Sequence, residues 1–520
     1  MPITPPYYPI VYVRGYAATM AEIEETVATP YMGFNLGSTK LRQSYAGEVV
    51  RFIFESPLIR LMKDEGYVDA YRGGDLPPEG ERVPAKSVWI FRYYERVSEE
   101  LGEGERVEIE DFAADLRRFL LRVQDHVCGA DEAERAKFRV HLVAHSMGGL
   151  VCRCYLQNFC RYEGGKKRSA PLDPLVDKVF TYATPHNGIE MQGFNVPDLG
   201  ALDRLQVRNF NRGRMREYLR LGPGSDDVSS LDGAFPPERF FCLAGTNHRD
   251  YQAFHGLSRR GTGPTSDGLV MMKNAVVRDA PRAHVHRSHS GHYGIVNSEE
   301  GYQNLRRFLF GEVRIDALLR AEEITLPAAV QRKKDGGAKI HAQYNIDVAA
   351  RVRNAGCFLS ERRVSQESAV RRRYEDLVEA GKPAYLFTGY LYSGNPEGPG
   401  TRGADVRDTA LAFAIEIAIE VPVFEVDGRF WFDEHYEGAR LYAETITFHV
   451  RRTAAGFSIR YGLSSEAGPG NAGRVPAVAR AGAGGRLEIE IPVGFRPGAA
   501  RPPRPGFRGT LVVAASPWNA

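Results

Sequence analysis

The residues Phe138-Arg-Val-His-Leu-Val-Ala-His-Ser-Met-Gly-Gly-Leu150 carry the clearest chemical signal in this chain. An apolar run leads straight into Ser146, and helix-forming residues follow at once. A serine hydroxyl becomes a useful nucleophile when a sharp strand-to-helix turn projects it above a sheet and a base removes its proton. The residues two before and two after it must be small, because they approach each other in that turn; here they are Ala144 and Gly148. The helix N-terminus behind Ser146 offers N–H groups and partial positive charge where an oxyanion develops. The chemistry this predicts is acyl transfer through an acyl-Ser146 intermediate.

Such a serine needs a base and an orienting acid; in the α/β-hydrolase superfamily, which the chain resembles around Ser146, they follow it in the order acid, then histidine. The acid should come after the strand at Phe240–Leu243. Asp250, in Gly245-Thr-Asn-His-Arg-Asp, and Asp267, in Thr265-Ser-Asp-Gly-Leu-Val270, both qualify. The base should lie on the loop after the last strand, where His284, His286, His289 and His292 are available.

With these residues in view, the chain resembles the α/β-hydrolase superfamily over residues 9 to about 310, and within it the bacterial lipases that share Ala-His-Ser-Met-Gly. The resemblance implies a backbone oxyanion hole made by Tyr16 N–H, in Arg14-Gly15-Tyr16, and Met147 N–H. Ser-Asp-Gly-Leu-Val is similar to the segment that holds the catalytic aspartate in Pseudomonas- and Burkholderia-type lipases, which favours Asp267 over Asp250. His292-Tyr-Gly-Ile-Val-Asn297 is similar to the family's histidine segment, which favours His292, with His289 as the second candidate. Gly294 replaces the aspartate that ligates calcium in those lipases, so no metal and no cofactor is expected. Ala183-Thr-Pro-His-Asn-Gly188 resembles a turn found after the sixth strand of many lipases, with His186 structural. The resemblance implies hydrolysis of carboxylic esters, with a lipase or phospholipase as the leading expectation. Acyl transfer to another acceptor, and a scaffold with a vestigial hydrolase half, remain open at this level.

The elements that must position these residues follow from periodicity. Up to residue 312, short apolar strands (Ile10–Val13, Val88–Phe91, Val140–Val143, Val179–Tyr182, Phe240–Leu243) alternate with amphipathic helices such as Ile109–Val127. That alternation predicts a mostly parallel sheet with helices on both faces. Residues 189–235 are expected to form a cap, in which Leu202, Leu205, Met215, Tyr218 and Leu219 mix with Arg204, Arg208, Arg214, Arg216 and Arg220. Such a cover suits lipid-surface contact or simple solvation. Residues 313–337 read as a linker. From 338 to 520, period-two runs such as Ile340–Val352, Leu411–Ile419, Ile446–Val450 and Leu487–Val493, separated by Gly/Pro-rich turns, predict an antiparallel β-sandwich. One helix is expected within it at about Ser365–Ala380, and a long loop at Ser464–Gly485.

Charge is nearly balanced, with 68 Lys and Arg against 65 Asp and Glu, which argues against nucleic-acid binding. The clusters Lys166-Lys167-Arg168, Arg332-Lys333-Lys334 and Arg371-Arg372-Arg373 are isolated and read as solvated surface. No apolar run is long enough to span a bilayer. The first residues lack a signal-peptide pattern, so a cytoplasmic location is expected, with signal-independent export as the other route. The six cysteines read as free thiols.

Overall fold

Apolar tetrads to heptads in the first 310 residues build a parallel sheet. In the computed structural model, β1 (Ile10–Val13), β2 (Val68–Asp69), β3 (Ser87–Phe91), β4 (Val140–His145), β5 (Val176–Tyr182), β6 (Phe240–Gly245) and β7 (Arg282–Val285) pair in the order β7-β6-β5-β4-β1-β3-β2. Every ladder in it is parallel. The structure describes residues 2–15, 30–31, 34–35, 39–43, 49–53, 56–71, 76–91, 93, 107–191, 194–195, 207–223, 226–250, 263–290, 294–352, 355–379, 381–394, 411–426, 434–453, 456–466, 475–476, 480–481, 485–496, 498 and 500–519. Strands β1, β3, β4, β5 and β6 are buried along their whole length, which is why they read as continuous apolar runs.

Helices α1 (Ser56–Glu65), α2 (Ile109–Cys128), α3 (Glu132–Lys137), α4 (Met147–Cys154), α5 (Arg212–Tyr218) and α6 (Glu299–Phe310) accompany this sheet. The buried Ile109, Phe112, Leu116, Leu120 and Val123 form one stripe of α2. On α6, Phe308 packs 5.8 Å from Phe180 and 5.4 Å from Phe241, whose rings stack at 5.3 Å. Arg60–Glu299 and Arg306–Glu65 ion pairs fasten α1 to α6. This is an α/β-hydrolase fold.

One buried cation ties the segment around Val228–Ser230 to the helix behind Ser146. Arg153, on α4, is fully buried and, among the described residues, meets no carboxylate in an ion pair. It donates instead to Gln157 Oε1 (2.9 Å) and to the carbonyls of His186 (2.7 Å), Val228 (2.8 Å) and Ser230 (2.7 Å). Burial pulls its pKa down to about 10, so it stays charged at neutral pH. Arg153→Met is expected to destabilise the first unfolding transition by about 2–5 kcal/mol in a denaturant titration, because it strips donors from buried carbonyls. Arg153→Lys should fall between the two, since one ammonium cannot reach all these acceptors.

Of the arginines in the segment expected to form a cap, Arg214 pairs with Glu108 (3.3 Å) and Glu110 (2.6 Å), and Arg220 donates to Asn158. These two are spent inside the unit rather than offered to a lipid surface. Met215, Tyr218 and Leu219 are buried. Leu202, Arg204 and Leu205 lie outside the described residues.

The chain divides into two compact units, 1–310 and 311–520. The second is a β-sandwich. Its strands are β8 (Val313–Thr325), β9 (Ile340–Val352), β10 (Phe358–Arg362), β11 (Val370–Arg373), β12 (Ala384–Leu391), β13 (Leu411–Val426), β14 (Glu434–Thr453), β15 (Gly456–Leu463), β16 (Val475–Pro476), β17 (Arg480–Ala481), β18 (Leu487–Gly494) and β19 (Gly506–Pro517). One sheet has the order β12-β8-β19-β18-β17 and the other β10-β9-β13-β14-β15-β16, with β11 also on β9. All these ladders are antiparallel. Ile315, Leu319, Ile489 and Leu511 of the first sheet share a core with Ile346, Ile417, Ile446 and Phe448 of the second.

Two expectations need correction here. Residues 313–337 are not a linker. Val313, Ile315, Ala317 and Leu319 alternate inward on β8, and helix α7 (Ala328–Asp335) follows. Inward-facing Leu and Ile are interrupted by Arg320-Ala-Glu-Glu323, which hid the period. The helix expected at Ser365–Ala380 is instead strand β11 and a π-helical turn, Glu375–Glu379. Ladder pairing of Val370–Arg373 with Gln343–Ile346 outweighs local helix propensity. The stretch read as a long loop, 464–485, is described at a 3₁₀ turn (Ser464–Glu466) and at β16 and β17.

Candidate active site

Ser146 stands between β4 and α4 with φ 51° and ψ −126°. A non-glycine residue at positive φ costs about 1–3 kcal/mol and persists where its surroundings enforce it. Two contacts enforce it here: the Ser146 amide donates to Tyr182 O (2.9 Å), and the Gly149 amide donates to Ser146 O (3.1 Å). Gly148 lies against the end of β1. A Cβ there would stand 2.3 Å from Val13 O and 2.5 Å from Arg14 O, so only glycine lets helix and strand meet. Met147 opens α4, where an N–H has no carbonyl within its own helix. Tyr16 lies outside the described residues.

The imidazole beside Ser146 belongs to His289. Its Nε2 is 3.0 Å from Ser146 Oγ, and its Nδ1 is 2.9 Å from Asp267 Oδ2. With the carboxylate ionised, Nδ1 donates and Nε2 accepts the serine proton. His289 follows β7 by four residues. Its amide donates to Asp267 O (3.0 Å), so the two loops are joined through main chain as well as side chain. The residue that the family resemblance favoured, His292, lies outside the described residues. Among the described residues, the ring of His289 is bonded to both Ser146 and Asp267. The signal that could have found it is position: the base loop begins directly after β7, but the buried His284 inside Arg282-Ala-His-Val285 disguises that strand.

Asp267 is almost fully buried. Its Oδ1 accepts the amides of Leu269 (3.0 Å) and Val270 (2.7 Å), leaving Oδ2 for the histidine. Gly268 holds φ +98°, a conformation L side chains rarely adopt, and this lets the loop fold back on the carboxylate. Asp250 is exposed and bonded by Asn247 Nδ2, away from this group.

His145 braces the arrangement from the other side. Its Nε2 donates to the His289 carbonyl at 3.0 Å, with the two rings 5.1 Å apart. Burial, with His289 nearby, pulls its pKa down to about 3, so the ring is neutral and its proton sits on Nε2. His186 is buried within bonding distance of Thr181 Oγ1 (3.0 Å), a structural place. The arrangement as a whole sets a serine hydroxyl, an imidazole held by a carboxylate, and a helix N-terminus side by side. Among the described residues no group of three or more His, Cys, Asp or Glu could hold a metal ion.

No family model matches the chain, and no curated protein matches it. Among solved structures it is similar to phospholipase PlaB from Legionella pneumophila in complex with thio-NAD, at TM-score 0.33 and 11% identity, covering 82% of this chain and 89% of that one. The same phospholipase without that ligand gives TM-score 0.32 and 12% identity over 83% and 91%. The Tle4–Tli4 complex gives TM-score 0.16 and 19% identity over 47% and 39%.

Proposed function

We propose that the protein is a serine carboxylic-ester hydrolase acting on lipid-like esters, with Ser146 as nucleophile, His289 as base and Asp267 as its orienting acid. The observation that carries the reading is the continuous hydrogen-bonded chain from Asp267 Oδ2 through His289 to Ser146 Oγ. His289 takes the Ser146 proton as Oγ attacks the ester carbonyl. The tetrahedral oxyanion forms against the Met147 amide, with Tyr16 N–H the second donor that the family resemblance implies. His289 then returns the proton to the leaving alkoxide, and water repeats the sequence on the acyl-serine. Lipid-like esters are favoured by the Ala-His-Ser-Met-Gly segment, which resembles that of bacterial lipases. Among the described residues no helix is long and apolar enough to cross a membrane.

The test is labelling with a fluorophosphonate probe, which needs an activated serine. Stoichiometric label on the Ser146 peptide is expected, with a free fatty acid released from p-nitrophenyl and phospholipid esters. Absence of label would overturn the reading. Transfer of the acyl group to added alcohol in preference to water would recast the protein as an acyltransferase.

A further inference from the structure

Of the short cationic runs in the sequence, two meet in the second unit. The last turn of α7 carries Arg332, Lys333 and Lys334, and β11 carries Arg371, Arg372 and Arg373. Lys334 Nζ donates to Tyr374 Oη at 2.8 Å and lies 4.6 Å over that ring, which sets the helix end against the residue after Arg373. Arg371 and Arg373 pair with Asn345 and Gln343 of β9, on the pleat opposite the buried Tyr344, Ile346 and Val370. Lys339 immediately precedes β9.

The charge there is out of proportion to the chain. Segments 328–339 and 370–382 hold eight Lys and Arg against four Asp and Glu, a surplus of four. The remaining residues hold 60 against 61. Elsewhere in this unit arginines meet carboxylates: Arg314 with Asp316, Arg320 with Glu490, Arg363 with Glu361, and Arg508 with Glu323. By contrast Arg332, Lys339, Arg371, Arg373 and Lys382 are exposed, and among the described residues none forms an ion pair.

We infer that this edge of the sheet, where β11 and the end of α7 lie side by side, docks the protein on an anionic lipid surface. The inference rests on the proposed reading of the other unit as a hydrolase of lipid esters, which must reach substrate held in a membrane. A plane of anionic headgroups attracts each cation near it by about fivefold in binding. Single-stranded nucleic acid is the poorer fit: it requires exposed rings for base stacking, whereas Tyr344 and Tyr374 are buried.

The experiment uses the full chain with Ser146→Ala, so that the lipid is not consumed. Sedimentation is measured with vesicles of phosphatidylcholine alone and of equimolar phosphatidylcholine and phosphatidylglycerol. Binding to the anionic vesicles only, weakened by salt, is expected. The variant Arg332→Glu, Lys339→Glu, Arg371→Glu, Arg373→Glu should lower that binding by on the order of a hundredfold or more. The same four changed to Gln should lower it less, and Lys166→Glu with Lys167→Glu should leave it unchanged. Equal binding to both vesicles, binding indifferent to the four changes, or tighter binding to single-stranded DNA than to anionic vesicles would overturn the inference. Fluorophosphonate labelling of the four-residue variants with Ser146 intact reports separately on the hydrolase reading.

Discussion

Ser146→Ala and His289→Ala are each expected to lower kcat on a soluble ester by roughly a million-fold, and the double variant to be no worse than either. The equality follows from the geometry. A serine without its base keeps its proton, and a base without its serine has nothing to activate, so either loss removes the whole covalent route. What survives is the binding and oxyanion stabilisation supplied by the α4 N-terminus. His292→Ala should stay within an order of magnitude of the unaltered protein. Steady-state turnover of p-nitrophenyl butyrate separates these cases. A large loss in His292→Ala with turnover intact in His289→Ala would return the base to His292 and leave Ser146 in place.

Asp267→Asn is expected to cost about 10⁴ in kcat, with little change in KM. Oδ1 is committed to the Leu269 and Val270 amides, so the asparagine oxygen must take that side. Its NH₂ then faces His289 Nδ1, which must become an acceptor. The imidazole proton moves to Nε2 and points at Ser146 Oγ, where an acceptor is needed. The ring stays in place and holds the wrong tautomer. Asp250→Asn should be near neutral, because that carboxylate lies on the surface against Asn247. An Asp267→Asn protein that keeps turnover within tenfold would sink the assignment of the acid.

These residues differ in how plainly the sequence announced them. Ser146 was legible because its turn imposes small neighbours and an apolar approach within a few residues. Asp267 was favoured through the resemblance of Ser-Asp-Gly-Leu-Val to the lipases' aspartate segment, and part of its setting is local, with the Leu269 and Val270 amides on its own carboxylate. The base was less plain: several histidines crowd one short region, and the structure sets His289 against both Ser146 and Asp267 while His292 lies outside the described residues. The sandwich was readable wherever one strand face was apolar and the other wet. It was misread at β8, whose inward residues sit beside a polar run, and at β11, whose three arginines look helical until β9 is beside them. The pairing that fixes both strands comes from far along the chain, beyond any local window.

That distance bears on how the protein is made. Val313 of β8 pairs with Pro517 of β19, and Thr325 with Gly506, so the centre of one sheet joins segments about 200 residues apart. Emerging from a ribosome at ~5–20 residues per second, β8 waits on the order of 10–40 s for that partner. Everything β7 and α6 pair with has already been synthesised by Phe310, so the first unit can close during translation. The sandwich cannot. Until Gly506–Pro517 arrives, β8 offers an open backbone edge lined by Val313, Ile315, Ala317 and Leu319, the kind of edge that recruits other chains. A frameshift or stop late in the gene therefore does not trim a tail. It removes the middle strand of a sheet and leaves a finished first unit attached to an aggregation-prone remnant.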